Sequence, residues 1–356
     1  MITLFQLFIV DVKYDFPEEI EYSENIEWYS VINEEVTLNN LNLKDSIFVR
    51  DFWRLQFCVE DIFNRSPKSY YILKKKLFPK RNITDNNRNA NNPAGSSDSA
   101  TELINNAATK LSELINYLNI KLPAMSDEKE MKFLDLCAAP GGYSMYLVSK
   151  YKVSGYAISL DEGGLTYHSD FPEDKVQKIW GSKGTGNLLD YENKIDLPSK
   201  VSFVFADGAV HREAKYDHLK EQTCFKLFCA EVYQALRFLE EDGFFICKFF
   251  NLLSRPSQDL LILITHVFST VKLIKPPHSR SINNEVYLYC NNYKRDEKVI
   301  KFLSNLLSSW KDDDLLPSQL ISNRSHSKFD KELVIRVIKE LTFPCLERFY
   351  RLLQKT

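Results

Sequence analysis

The spacing of apolar residues changes several times along the chain, and these changes divide it. Between 101 and 118, Leu103, Ala107, Leu111, Leu114 and Leu118 recur on one face at helical spacing. Short apolar runs then predict strands at 133–137, 155–160, 201–206, 243–249, 270–275 and 285–290. Helical periodicity fills the intervals at 142–151, 217–241 and 256–268. Strands alternating with helices predict an α/β fold, a parallel sheet covered on both faces. The last pair, Val271-Lys-Leu-Ile and Val286-Tyr-Leu-Tyr, is joined by a connection too short for a crossover helix. These two strands should pair antiparallel.

The two ends read differently. Met1 to Val10 is apolar but lacks a basic start and a small-residue cleavage site, which favours a strand over a signal peptide. Residues 46–80 have a helical pattern carrying Phe48, Phe52, Trp53, Phe57 and Phe63, and 82–100 has the Asn, Asp, Ser, Pro and Gly content of a flexible loop. Beyond 296 the pattern is helical again, at about 297–310 and 330–354, broken by Asp312-Asp313-Asp314 and Pro317. The expected division is an N-terminal extension over 1–100, an α/β domain over 101–296 and a C-terminal helical appendage over 297–356.

Composition narrows the function classes. With 356 residues, 44% of them hydrophobic, the chain can bury a large core. A formal net charge of −2 supplies no global basic field, so any nucleic-acid surface must be local. One local cluster is Lys74, Lys75, Lys76, Lys80 and Arg81 beside Tyr70 and Tyr71. It has two readings, a surface for RNA backbone and bases or a solvated helix end. The seven cysteines form no C-x-x-C pair, which argues for a reducing compartment and against a zinc site. Cys224, Cys229, Cys247 and Cys290 lie in apolar surroundings and are expected to be buried. Six dispersed histidines suggest no metal, and the lack of an apolar run of about 18 residues argues against a membrane span.

The chemistry concentrates at strand ends. Residues 133–144 read Phe-Leu-Asp-Leu-Cys-Ala-Ala-Pro-Gly-Gly-Tyr-Ser: a strand, a small-residue turn and a helix start, which lets backbone approach a ligand closely. The turn has neither the Gly-Lys-Ser/Thr of a phosphate loop nor the glycine spacing of a dinucleotide fingerprint. An acid within the strand (Asp135) followed by Ala-Ala-Pro-Gly-Gly suits a cofactor with a cationic, amino-acid-like end, such as S-adenosylmethionine. In open α/β sheets ligands sit beyond the carboxyl ends of the strands. Asp207 follows Val204-Phe-Ala, Lys248 ends Gly243-Phe-Phe-Ile-Cys, and Glu285 opens the last strand. Singly, each has a plainer reading: a strand-end cap, a snorkelling lysine, an exposed edge residue.

Together these residues resemble the Lys-Asp-Lys-Glu tetrad of the FtsJ-like RNA 2′-O-methyltransferases. Asp207, Lys248 and Glu285 match its last three members. Asn105-Asn-Ala-Ala-Thr-Lys resembles the Asn-Arg-Ala-Ala-x-Lys motif of the mRNA cap-1 branch and makes Lys110 the first, ahead of Lys74 to Lys76. Phe245-Ile-Cys-Lys-Phe-Phe and Lys275-Pro-Pro-His-Ser-Arg-Ser-Ile-Asn-Asn-Glu are also similar to that branch. The resemblance implies a Rossmann-like methyltransferase fold, mostly parallel with a terminal antiparallel strand. It implies S-adenosylmethionine held by Asp135, Ala138, Ala139, Pro140, Gly141, Gly142, Tyr143, Ser144, Asp161, Asn187, Leu188 and Asp207. Asp161 reads equally well as a loop acid, and the family usually has aspartate where Asn187 stands. Ser279, Arg280, His211 and Arg212 are the implied RNA contacts. Lys248 would be the general base, its pKa lowered by burial and by Lys110, with Asp207 and Glu285 holding the lysines. The implied substrate is RNA, foremost a capped mRNA 5′ end, and the implied compartment the nucleus. A partner protein on the C-terminal helices fits the same reading. The alternatives are an rRNA or tRNA methyltransferase of the cytoplasm or mitochondrion, and an inactive scaffold of the same fold.

Overall fold

The computed structural model describes residues 8–12, 20–24, 26–30, 65–66, 68, 106–161, 166–210, 219–252, 254–276, 279, 285–313 and 315–322. The basic cluster at 74–81, the loop at 82–100, the segment 330–354 and three expected RNA contacts, Arg280, His211 and Arg212, lie outside the described residues.

In chain order the elements are β1 (Phe8–Val12), β2 (Trp28–Ser30), α1 (Asn106–Leu118), β3 (Met131–Leu136), α2 (Gly142–Lys150), β4 (Val153–Ile158), β5 (Val176–Ile179), β6 (Val201–Ala206), α3 (Lys220–Thr223), α4 (Phe225–Phe238), β7 (Leu239–Phe250), α5 (Arg255–Val267), β8 (Phe268–Lys275), β9 (Glu285–Tyr293), α6 (Glu297–Ser309) and β10 (Leu315–Pro317). Eight strands form one sheet in the order β1-β8-β9-β7-β6-β3-β4-β5, and β10 pairs with β2 apart from it. The steps from β7 through β6, β3 and β4 to β5 are parallel. β9 lies antiparallel between β7 and β8, and β1 closes the far edge antiparallel to β8. The arrangement is a Rossmann-like methyltransferase fold.

Side-chain alternation along the central strands builds two cores. In β6, Phe203 and Phe205 point to one face and Val204 and Ala206 to the other; in β7, Phe244 and Ile246 oppose Phe245, Cys247 and Phe249. On the first face α1 and α2 pack Leu111, Leu114, Tyr146 and Leu147 over a ring stack in which Phe203 and Phe244 lie 5.0 Å apart. On the second face α4, α5 and α6 cover the sheet. The expected 217–241 helix is two helices meeting at Cys224. α6, expected in an appendage, buries Val299, Ile300, Leu303, Leu306 and Leu307 in the same core as α4.

Candidate active site

The parallel strands β3, β4, β6 and β7 end on one edge of the sheet, and β9, running the other way, begins there: Phe250 pairs with Glu285 and Lys248 with Tyr287. Continuing the alternation two residues past Phe205 puts Asp207 on the α1 face. The same step past Ile246 puts Lys248 there, and Tyr287 and Glu285 follow from the β9 register. α1 crosses this face and brings in Lys110, whose neighbours Ala108 and Leu111 are core residues.

The four residues form one buried ionic cluster. Lys110 Nζ lies 3.5 Å from Asp207 Oδ2, 3.4 Å from Glu285 Oε1 and 2.5 Å from the Tyr287 hydroxyl. Tyr287 in turn donates to Asp207 Oδ1 at 2.8 Å. Lys248 Nζ donates to the Asp207 carbonyl at 2.6 Å and lies 3.1 Å from Asp207 Oδ1. Two ammonium groups thus face two carboxylates, which is the balance that burial of charge requires. Tyr287 is a hub that sequence reasoning missed. Its one signal was position: two residues beyond Glu285, hence on the same strand face.

Ser279, expected to contact RNA, donates to Glu285 Oε1 at 2.7 Å, and Lys275 donates to the Glu285 carbonyl at 2.6 Å. Burial alone would raise the Glu285 carboxyl, but the charges of Lys110, Lys275 and Lys248 and the Ser279 hydroxyl hold it at about 2. Lys248 corrects the expectation of a depressed lysine. Burial does work to lower its pKa, but the carboxylates of Asp207 and Glu285 outweigh burial and carry it above the ordinary lysine value. In this state Lys248 is an ammonium.

Beside the cluster lies the turn between β3 and α2. Cys137 (φ 58°) and Gly141 (φ 104°) both take left-handed backbone, and the Ala139–Pro140 bond is cis. A Cβ at Gly141 would fall 2.5 Å from Phe171 Cδ2, so glycine is needed for space as well as backbone. No side chain of the turn caps α2; Asp135, from the strand, does so. Its Oδ2 accepts from Ser144 N at 3.1 Å and Ser144 Oγ at 2.7 Å. Burial raises the Asp135 carboxyl to about 7 against these two bonds. Ala138, Gly142, Tyr143 and Ser144 are buried in the turn and the helix start.

The other expected cofactor residues ring the same edge. Asp161 follows β4 and donates its N–H to the Thr185 carbonyl at 3.0 Å. Gly186, at φ 63°, lets the next loop run against Ser159, the residue after β4. Asn187 Oδ1 accepts the Leu189 N–H at 2.9 Å, so its oxygen is engaged in shaping its own loop; Leu188 is buried in the core. Tyr167 has a hydroxyl that a polar ligand could meet. Its ring packs on Phe171 and Trp180, its hydroxyl is buried without a hydrogen bond, and its surroundings include Asp135, Cys137 and Asp161. Among the described residues no group of acids, histidines and cysteines is placed to hold a metal, and no helix is long and apolar enough to cross a membrane.

Comparison with known proteins locates this arrangement. Residues 103–293 match the family model described as FtsJ-like methyltransferase. The cap-specific mRNA (nucleoside-2′-O-)-methyltransferase 1 of Trypanosoma brucei brucei is 30% identical over 169 residues, 44% of this chain and 46% of that protein. Its namesake from Trypanosoma cruzi is 27% identical over 209 residues, covering 54% and 58%. That of Drosophila melanogaster is 29% identical over 217 residues, covering 54% and 27%. The chain thus spans about half the length of the first two relatives and about a quarter of the third.

Proposed function

The chain belongs to the FtsJ-like methyltransferase family, and from that premise we propose that it methylates the ribose 2′-hydroxyl of the first transcribed nucleotide of capped mRNA. The observation that carries this reading is the meeting of Lys110, Asp207, Lys248 and Glu285 at the sheet edge beside the Ala138–Gly142 turn. The names of the relatives favour capped mRNA as the substrate. A cellular cap substrate in turn favours the nucleus.

S-adenosylmethionine, when bound, supplies a methyl group already activated by a sulfonium charge. Asp135, Asp161, Tyr167 and the backbone of the Ala138–Gly142 turn would hold it. The orphan Tyr167 hydroxyl and the glycine-lined turn fit a ligand with amino-acid and ribose ends. The chain's own contribution is position and electrostatics. Asp207 fixes Lys248 through both its carbonyl and its carboxylate, so Lys248 Nζ has little freedom. As an ammonium it donates to the 2′-oxygen and orients it toward the methyl donor. Lys248 would first give its own proton to solvent, a loss favoured by any further positive charge entering the crevice. As a neutral amine it would then take the hydroxyl proton while the oxygen bonds to the methyl carbon and the carbon–sulfur bond breaks. Lys110, bonded to Asp207, Glu285 and Tyr287, holds the two carboxylates that fix the position of Lys248.

The test is chemical. Capped RNA incubated with the protein and methyl-labelled S-adenosylmethionine is digested with alkali, which spares only the phosphodiester beside a 2′-O-methyl ribose. Label in an alkali-resistant cap-proximal fragment is expected. Label released as a base-methylated mononucleotide refutes the ribose assignment.

A further inference from the structure

Glu231 lies in α4 with its side chain wholly out of solvent, and the tetrad does not include it. Its Oε1 accepts the Gly208 N–H at 3.2 Å, and the Cys137 side chain is within hydrogen-bonding reach of its carboxyl. Gly208 is the residue after Asp207. A Cβ there would strike Glu231 Oε1 and fall 2.8 Å from Cys137 Sγ. Cys137 is the left-handed residue from which the Ala138–Gly142 turn departs. One buried carboxyl therefore touches the root of the turn assigned to the cofactor and the root of the loop that carries Asp207. No close approach of this kind is needed for α4 to cover the sheet; Phe228, Val232 and Ala235 do that.

We propose that Glu231 is a positioning residue that ties these two loop roots together and, through the Gly208 backbone, sets where Asp207 holds Lys248. The proposal rests on the methyltransferase reading for its kinetic consequence and on geometry alone for its structural one. The charges and ionisable groups facing Glu231 are Asp207 at the end of β6, Lys248 and Cys247 on β7, Cys137 after β3 and Cys224 at the α3–α4 junction. Burial pushes the Glu231 carboxyl up to about 8, against the pull of Lys248, so at neutral pH the tie is a neutral acid. Burial also raises all three thiols, which leaves Asp207 and Lys248 as the charged neighbours. Above pH 8 Glu231 becomes a second carboxylate next to Asp207. Its charge holds the proton on Lys248 more tightly and repels Asp207.

The experiment compares the full chain with Glu231→Gln and Glu231→Leu. Two readouts are taken: hydrogen exchange at the Gly208 amide, and kcat and KM on capped RNA between pH 7 and 9.5. Glu231→Leu should expose the Gly208 amide to faster exchange and lower kcat by about tenfold or more with KM for RNA little changed. Glu231→Gln retains an acceptor for Gly208 and should recover most of that kcat at pH 7. It should also lack the flattening of the wild-type profile near pH 8. Unchanged Gly208 exchange in Glu231→Leu overturns the tie, and a Glu231→Gln profile that still bends near pH 8 overturns the electrostatic part. Absence of methyl transfer by the wild type would overturn the methyltransferase reading instead, and the exchange comparison would still decide the role of Glu231.

Discussion

Replacing Glu285 with glutamine removes one charge from the cluster and almost no volume, and the structure sets the size of the effect. The carboxyl falls from 4.5 to about 2 because three lysines and Ser279 overcome its burial. At about 1.4 kcal/mol per pKa step, the surroundings favour its charged form by about 3 kcal/mol. The substituted amide would keep an oxygen for Ser279 but present Lys110 with a neutral partner, so the loss at pH 7 should be about 1–3 kcal/mol. For a domain of this size that is a fall in Tm of about 2–10 °C. The sign of the pH dependence follows from the lowered pKa. The contribution of Glu285 is complete above 4.5 and fades as pH falls through about 2. Urea unfolding of both proteins between pH 3 and 8 should therefore show a gap that is constant above pH 5 and narrows below 4.5. Equal stabilities at pH 7, or a gap that does not change on acidification, would refute the reasoning.

Other consequences can be checked singly. Lys248→Met should lower methyl transfer by about 100-fold or more while cofactor affinity, measured by calorimetry, changes by less than about threefold. Gly141→Ala forces a Cβ onto Phe171 in left-handed backbone and should weaken cofactor binding about tenfold or more in the same assay. Ser144→Ala removes the 2.7 Å bond to Asp135 and should cost about 1 kcal/mol in urea unfolding. Because the Asp135 carboxyl is raised to about 7, its protonated form contributes stability below 3.8 that is lost as pH rises through 7. Without Ser144 that loss should continue to higher pH.

The charged edge of the sheet was legible because it repeats a simple rule. Phe203, Phe205, Asp207 and Phe244, Ile246, Lys248 are period-2 series whose last members turn polar at or near the strand ends. A short connection after Lys275 likewise implied that the next strand turns back, which brings Glu285 to the end of β7. β5 was missed because Val176-Gln-Lys-Ile is an edge strand of four residues with little alternation. The start of β7 was also misjudged. Its strand begins at Leu239, and a bulge with Asp242 at φ 60° separates it from the regular pairing at Phe244. Glu231 and Tyr287 were invisible for another reason: each reads as part of an amphipathic helix or an apolar strand, and only the packing shows what its polar atoms meet. The Lys248 pKa was misread because Asp207 and Glu285 were taken as holding the lysines in place, while the structure shows that their charges outweigh burial.

The central claim, methyl transfer to the first nucleotide of capped RNA, is tested most directly with two RNAs of one sequence, one carrying a 7-methylguanosine cap and one uncapped. Labelled methyl transfer to each is measured at equal protein and S-adenosylmethionine. The account predicts label at the first nucleotide's 2′-oxygen of the capped RNA and little on the uncapped one. Transfer to neither, or equal transfer to both, would contradict it.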